Sequence, residues 1–153
     1  MQTLELKIPP VVVWLICAGL MWLVSWAFPA FDFSVPVRHA LAAGLTLGGL
    51  VVSTLGAASF RKAGTTLNPL KPDTSSALVA SGIYRLTRNP MYLGFLLTLV
   101  GWATFLANAL AFGWLPAFIF YMNRFQIVPE ERALTERFGK DFVAYQSKVR
   151  RWL

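Results

Sequence analysis

The sequence predicts an all-α integral membrane protein of about four transmembrane helices, with spans three and four folded as a helical hairpin and a short cytoplasmic C-terminal helix behind them. Three observations predict it: the chain is too apolar for a wet surface, its apolar runs have bilayer length, and its cations lie on one side of them. Of 153 residues, 56% are hydrophobic and 14% charged, and the mean hydropathy is +0.56. A soluble domain carries about 25% charged residues. Six Trp and twelve Phe add the aromatic weight that collects at membrane interfaces. A chain of this length is expected to form a single domain, with two N-terminal spans in 1–59 and a core in 60–153.

The first apolar run, Pro10–Phe28, follows Glu5 and Lys7 without a basic leader or a small-residue cleavage site. It therefore reads as a retained anchor. The second run is His39–Ser59, the third Met91–Ala107 and the fourth Ala109–Val128, each near the roughly 20 residues that cross a bilayer core. Little more than Asn108 separates the last two. One helix from Met91 to Val128 would be about 57 Å long, against a core of about 30 Å, so a tight turn near Asn108 is expected. Pro116 falls inside the fourth run, where a kink is tolerable.

Two polar blocks remain. Phe60–Asn89 contains Gly64-Thr65-Thr66-Leu67-Asn68-Pro69 and Lys71-Pro72-Asp73-Thr74-Ser75-Ser76, a density of turn formers that predicts an ordered loop. It is longer than a connection needs, and Leu78, Val79, Ile83 and Tyr84 argue that it packs and has a function. In the second block, Pro129 opens a helix with Glu130 and Glu131 in its first turn, and Gly139 is placed to stop it. Ala133, Leu134, Phe138, Phe142 and Tyr145 recur at three- and four-residue spacing, so one face should dock. Pro129–Leu153 is accordingly expected to close over the site as a lid, with Trp152 at headgroup level and Arg150 and Arg151 on anionic lipid.

Thirteen of the 14 Lys and Arg residues lie before span one, in the loop after span two, or at and beyond the end of span four; only Arg38 is elsewhere. The positive-inside rule then puts both termini in the cytoplasm. Topology and attraction to anionic lipid account for the net charge of +7 with no nucleic-acid partner. The single Cys17, in mid-span, reads as a packing residue. His39 is the only His and there is no Cys pair, so no metal site is expected.

Chemistry is expected where spans three and four meet the cytoplasm. Ser81–Gly94 is a doubly basic, Gly- and Pro-punctuated segment that runs straight into apolar helix, and Arg124 with Glu130-Glu131 should return to the same rim. There a carboxylate can take ribose hydroxyls or a sulfonium, and Arg or Asn can take a carboxylate group. Plainer readings compete: Arg85 and Arg88 as snorkelling topology determinants, and the Glu pair as a helix start. Composition and spacing reach only a cytoplasm-facing polar site on a small helical membrane protein.

The pattern Gly82-x-Tyr84-x-x-x-Arg88-Asn89-Pro90-x-Tyr92-x-Gly94, followed by Arg124 and Glu130-Glu131-x-x-Leu134-x-x-x-Phe138-Gly139-x-x-Phe142-x-x-Tyr145, resembles the isoprenylcysteine carboxyl methyltransferase and phospholipid methyltransferase superfamily over about residues 60–152. The resemblance implies a membrane methyltransferase that uses S-adenosylmethionine, with no metal and a pocket on the cytosolic side. It also implies a lipophilic substrate arriving from the bilayer. By the same resemblance Tyr84, Arg88, Asn89, Pro90, Tyr92, Gly94, Glu130 and Glu131 bind the cofactor, with Leu134, Phe138, Gly139 and Tyr145 as their frame. Many members have His at the position of Asn89, and the eukaryotic carboxyl methyltransferases have Arg at that of Gln126. Glu131 is the expected proton acceptor or orienting group, with Arg124 as its partner or as a substrate clamp. The acceptor would be a lipid, isoprenoid, or hydrophobic acid, amine or thiol, and the short chain with tight loops suits a bacterial inner membrane. An NADPH-dependent reductase of the sterol-reductase type is the rival enzyme, opposed by the short chain. A non-enzymatic membrane module is opposed by the intact Glu pair.

Overall fold

A computed structural model describes residues 5–34, 36–65 and 76–153. The turn-forming stretch from Thr66 to Ser75 lies outside the described residues. Those described form α1 (Pro10–Ala27), α2 (Arg38–Lys62), α3 (Pro90–Leu106), α4 (Ala109–Phe112), α5 (Trp114–Tyr121), α6 (Val128–Phe138) and α7 (Lys140–Lys148). Short 3-10 turns cover Pro29–Phe31 and Gly82–Arg85, and a π-helical turn covers Met122–Ile127. Two helices, α1 and α2, are long and apolar enough to cross a membrane; α3 is apolar but shorter, at 17 residues. Trp26 (73% exposed), Leu47 and Phe120 point outward, as apolar side chains do where the surroundings are not water.

Proline sets two helix starts. Pro10 and Pro90 each occupy the first helical position, where the fixed φ suits the helix and the missing N–H is not needed. Proline also explains why the fourth apolar run is not one regular helix. Pro116 has no N–H to give Phe112, so the ladder breaks at Gly113 and α5 begins there, leaving Pro116 in its first turn. Beyond α5 the hydrogen-bonding register widens into the π turn. The polar C-terminal region is likewise two helices, α6 and α7, divided by Gly139, whose φ of +53° favours glycine.

Small residues let α2 and α3 approach closely. A Cβ on Gly94 would collide with Ser53 Oγ and the Gly49 carbonyl, and one on Gly101 would lie 2.6 Å from Thr46 Oγ1. Ser53 Oγ donates to Met91 O (3.1 Å) across the same seam. On its other side α3 receives α1: Trp14 Nε1 donates to Thr98 Oγ1 (2.8 Å) and Trp102 Nε1 to Ala18 O (3.0 Å). Val13, Cys17 and Met21 of α1 form a core with Leu99, Ala103, Phe118, Met122 and Ile127; Cys17 is a packing residue.

The chain reverses after α3. Ala107 adopts φ +52°, and the fully buried Asn108 caps α4 by accepting from the Leu110 amide (3.0 Å). Its own amide donates to Asp32 Oδ1 (2.7 Å) and Phe28 O (3.0 Å). The α1–α2 connection and the α3–α4 turn are thereby tied together at one end of the molecule. At the other end Leu6 N donates to Phe125 O (3.0 Å), and Glu5 holds Arg124.

Candidate active site

Three segments converge at the end opposite Asn108. Gly82, at φ +62°, begins the 3-10 turn that tucks Tyr84 against the Phe60 ring (5.4 Å between centroids). Thr87-Arg88-Asn89 then leads into α3, whose first turn carries Tyr92. The π turn delivers α6 with Glu130 and Glu131 in its first turn, facing Tyr92 and Arg88.

The two carboxylates are held differently. Glu131 lies between two guanidinium groups: Arg88 Nη2 reaches Oε1 at 2.7 Å and Arg151 Nη2 reaches Oε2 at 2.6 Å, with both Nε atoms at 3.2 Å from Oε1. Among the described residues Glu130 accepts one hydrogen bond, from Tyr92 OH (3.1 Å). Burial pushes the Glu130 carboxyl up to about 7; the Tyr92 hydrogen bond opposes this and the neighbouring Glu131 charge adds to it. The Tyr145 phenol is raised by burial to about 12, against the pull of Arg88. Burial, and then the Glu130 charge, raises Tyr84 further still.

The C-terminal segment is strapped over this centre. Arg88 Nη1 donates to Val149 O (2.6 Å) and Gln146 O (3.1 Å), and the Arg88 amide to Arg150 O (3.0 Å). Asn89 Nδ2 (2.9 Å) and Thr87 Oγ1 (3.2 Å) both donate to Arg151 O. Asn89 occupies an N-cap position but spends its side chain on this strap instead of capping α3. Tyr145 OH donates to Tyr84 O (2.7 Å), and Trp152 Nε1 to Asn123 Oδ1 (3.1 Å).

Tyr84, Arg88, Asn89, Tyr92, Glu130 and Glu131 therefore share one cavity of about 50 Å³, closed on its apolar side by Phe60, Leu134 and Phe142. Pro90 starts α3, and Gly94 belongs to the α2–α3 seam, so neither lines it. Arg124 is not the partner of Glu131: it pairs with Glu5 at 2.8 Å. Arg151, expected on lipid, is the second partner of Glu131. Nothing in its local sequence distinguishes it from the other C-terminal cations, because the contact is made across 20 positions of chain.

A second and larger space, about 1120 Å³, lies between α1, α2 and α3. It runs from Trp14 and Thr98 along Trp22, Leu47 and Trp102 to His39 and Phe105, with almost entirely apolar walls. Trp14 and its hydrogen bond to Thr98 stand at the end nearer the polar cavity.

A family model described as phospholipid methyltransferase matches residues 37–141. The chain is 29% identical over 133 residues to protein-S-isoprenylcysteine O-methyltransferase of Saccharomyces cerevisiae, covering 82% of this chain and 54% of the yeast protein. It is 34% identical over 88 residues to protein-S-isoprenylcysteine O-methyltransferase B of Arabidopsis thaliana, covering 56% of this chain and 43% of that protein. A Haemophilus influenzae protein named only as uncharacterized is 46% identical over 63 residues, 41% of this chain and all of that protein. The chain spans about half the length of the isoprenylcysteine methyltransferases it matches. No solved structure matches it. The matched span runs from the start of α2 into α7 and contains Tyr84, Arg88, Tyr92, Glu130 and Glu131. With that span covering most of the chain, the protein belongs to the phospholipid methyltransferase family.

Proposed function

We propose that the protein is a membrane methyltransferase that moves a methyl group from S-adenosylmethionine to a small lipophilic acceptor that reaches the site from the bilayer. In this reading the chain is one domain that crosses a bacterial inner membrane four times with both termini in the cytoplasm. One observation carries it: a carboxylate pair meets Tyr92 and Arg88 in an aromatic-walled cavity on α3, while the same helix lines a long apolar groove. The groove suits a single hydrocarbon chain.

The chemistry of the cavity fits the cofactor. Aromatic faces and an uncompensated carboxylate suit a sulfonium, and carboxylate oxygens suit ribose hydroxyls. The volume fits only when the strap moves, since ligand sites of drug size occupy about 300–1,000 Å³. When bound, the cofactor supplies an electrophilic methyl for in-line displacement, a reaction served mainly by orientation and exclusion of water. Tyr92 orients Glu130. Arg88 and Arg151 hold Glu131, whose oxygens are taken up by four N–H bonds, an arrangement better suited to positioning than to proton removal. Arg124 braces the segment before α1. Re-docking of Val149–Trp152 excludes water.

Calorimetry of the purified protein against S-adenosylhomocysteine, NADPH and buffer tests the reading. Binding of the first alone is expected. Binding of NADPH would favour a reductase, and binding of neither would leave the cavity structural.

A further inference from the structure

Glu131 is neutralised twice over, by Arg88 and Arg151. Its neighbour Glu130 forms no ion pair among the described residues and has one hydrogen bond, from a phenol. The titratable and charged groups around Glu130 are Tyr92 from α3, Tyr84 from the 3-10 turn, Tyr145 from α7, and Glu131 with its two arginines. Phe60 and Phe142 complete the wall. A carboxylate so placed is costly to ionise until a cation joins it. The cavity thus has room for one more positive charge, and Glu130 is where it would be answered.

Resting on the methyltransferase reading, we propose that Glu130 senses the charge of the cofactor, staying ionised opposite the sulfonium and taking up a proton once the sulfur is neutral. In the transfer an electron pair of the acceptor forms the new bond to the methyl carbon. The pair of the broken carbon–sulfur bond stays on sulfur, which passes from cation to neutral thioether. Glu130 has then lost its counter-charge and is protonated from the cytoplasm, or by the acceptor if that group carried a proton. The site grips the donor through an ion–carboxylate contact and releases the spent product because the contact has gone. With its carboxyl near 7, Glu130 can make this change at neutral pH. Glu131 keeps its two arginines throughout and does not take part.

The test is calorimetry of the full chain in lipid nanodiscs with S-adenosylmethionine and S-adenosylhomocysteine, from pH 6 to 8 in buffers of different ionisation enthalpy. Binding of S-adenosylmethionine must ionise Glu130, so at pH 6 it should release close to one proton and tighten about tenfold by pH 8. S-adenosylhomocysteine should show neither effect. In Glu130→Gln the difference between the two ligands should vanish. Tyr92→Phe removes the hydrogen bond that favours the ionised form, so it should move the proton release to higher pH; it serves as the second variant if Glu130→Gln folds poorly. The same pH dependence for both ligands, or a Glu130→Gln protein that still separates them, overturns charge sensing and leaves the methyltransferase reading intact. Failure of both ligands to bind at any pH overturns that reading, and this proposal with it.

Discussion

Replacing Arg88 by Met tests how the C-terminal segment is held over the cavity. The guanidinium gives that segment two hydrogen bonds, at 2.6 Å to Val149 O and 3.1 Å to Gln146 O. A bond from a charged donor contributes about 1.5–3 kcal/mol. Val149 and Gln146 are only partly buried, which argues for the low end and a total loss of roughly 3 kcal/mol. Arg151 leaves with the segment, so in the variant undocking also strands the Glu131 carboxylate, and this figure is an upper bound. At about 1.4 kcal/mol per tenfold change, the undocked population should rise by at most about a hundredfold. Trypsin reports it through cleavage after the exposed Lys148, at a rate that follows the open population when reclosing outruns cutting. Tyr145→Phe removes one neutral bond, worth about 1 kcal/mol, and should accelerate cleavage only about fivefold. If Arg88→Met is cut no faster than the parent, Arg88 does not hold the strap.

Three further outcomes are expected. In whole cells, Ser34→Cys should react with a membrane-impermeant maleimide and Ser147→Cys only after permeabilisation; both positions are exposed, and the reverse pattern would put the cavity in the wrong compartment. Asn108 is too buried to serve as such a probe. Gly94→Ala should lower stability by about 1–3 kcal/mol through its collision with Ser53 and Gly49, and an unchanged melting temperature would refute the close α2–α3 seam. Glu130 binds its proton more tightly folded than unfolded, since burial raises it from its ordinary value of 4.5 to about 7. Between those values the folded state carries the extra proton, so stability falls as pH rises through the window, by a few kcal/mol at most. Glu130→Gln should flatten that slope and melt above the parent at pH 8; a slope like the parent's would mean that Glu130 is ionised when folded.

Much of the fold was legible because its signals are local. Apolar runs of bilayer length gave α1 and α2 to within a few residues, and Asn108 marked the reversal because a single polar residue interrupted two apolar runs. Gly139 divided α6 from α7 for the same reason: its backbone conformation is a property of one position. The segments that meet at the site were also readable, since Tyr84–Tyr92 and Glu130-Glu131 are compact motifs, and the resemblance they carried agrees with the matched family. Pro116 was visible as well. Its effect, a broken ladder followed by a π turn and not a simple kink, depends on which carbonyls find other donors.

Partnership is what the sequence could not assign. Arg124 reads as the partner of Glu131 or as a substrate clamp, yet it lies with Glu5, a contact across 119 positions, while Glu131 is claimed by Arg88 from one side and Arg151 from the other. Gly94 reads as a motif glycine, and only the packed helices show that α2 leaves no room there for a side chain. Charges and glycines of one kind look alike along a chain. Which of them becomes an ion pair, a seam or a surface is decided by distances that exist only once the helices have packed and the C-terminal segment has crossed Thr87–Asn89.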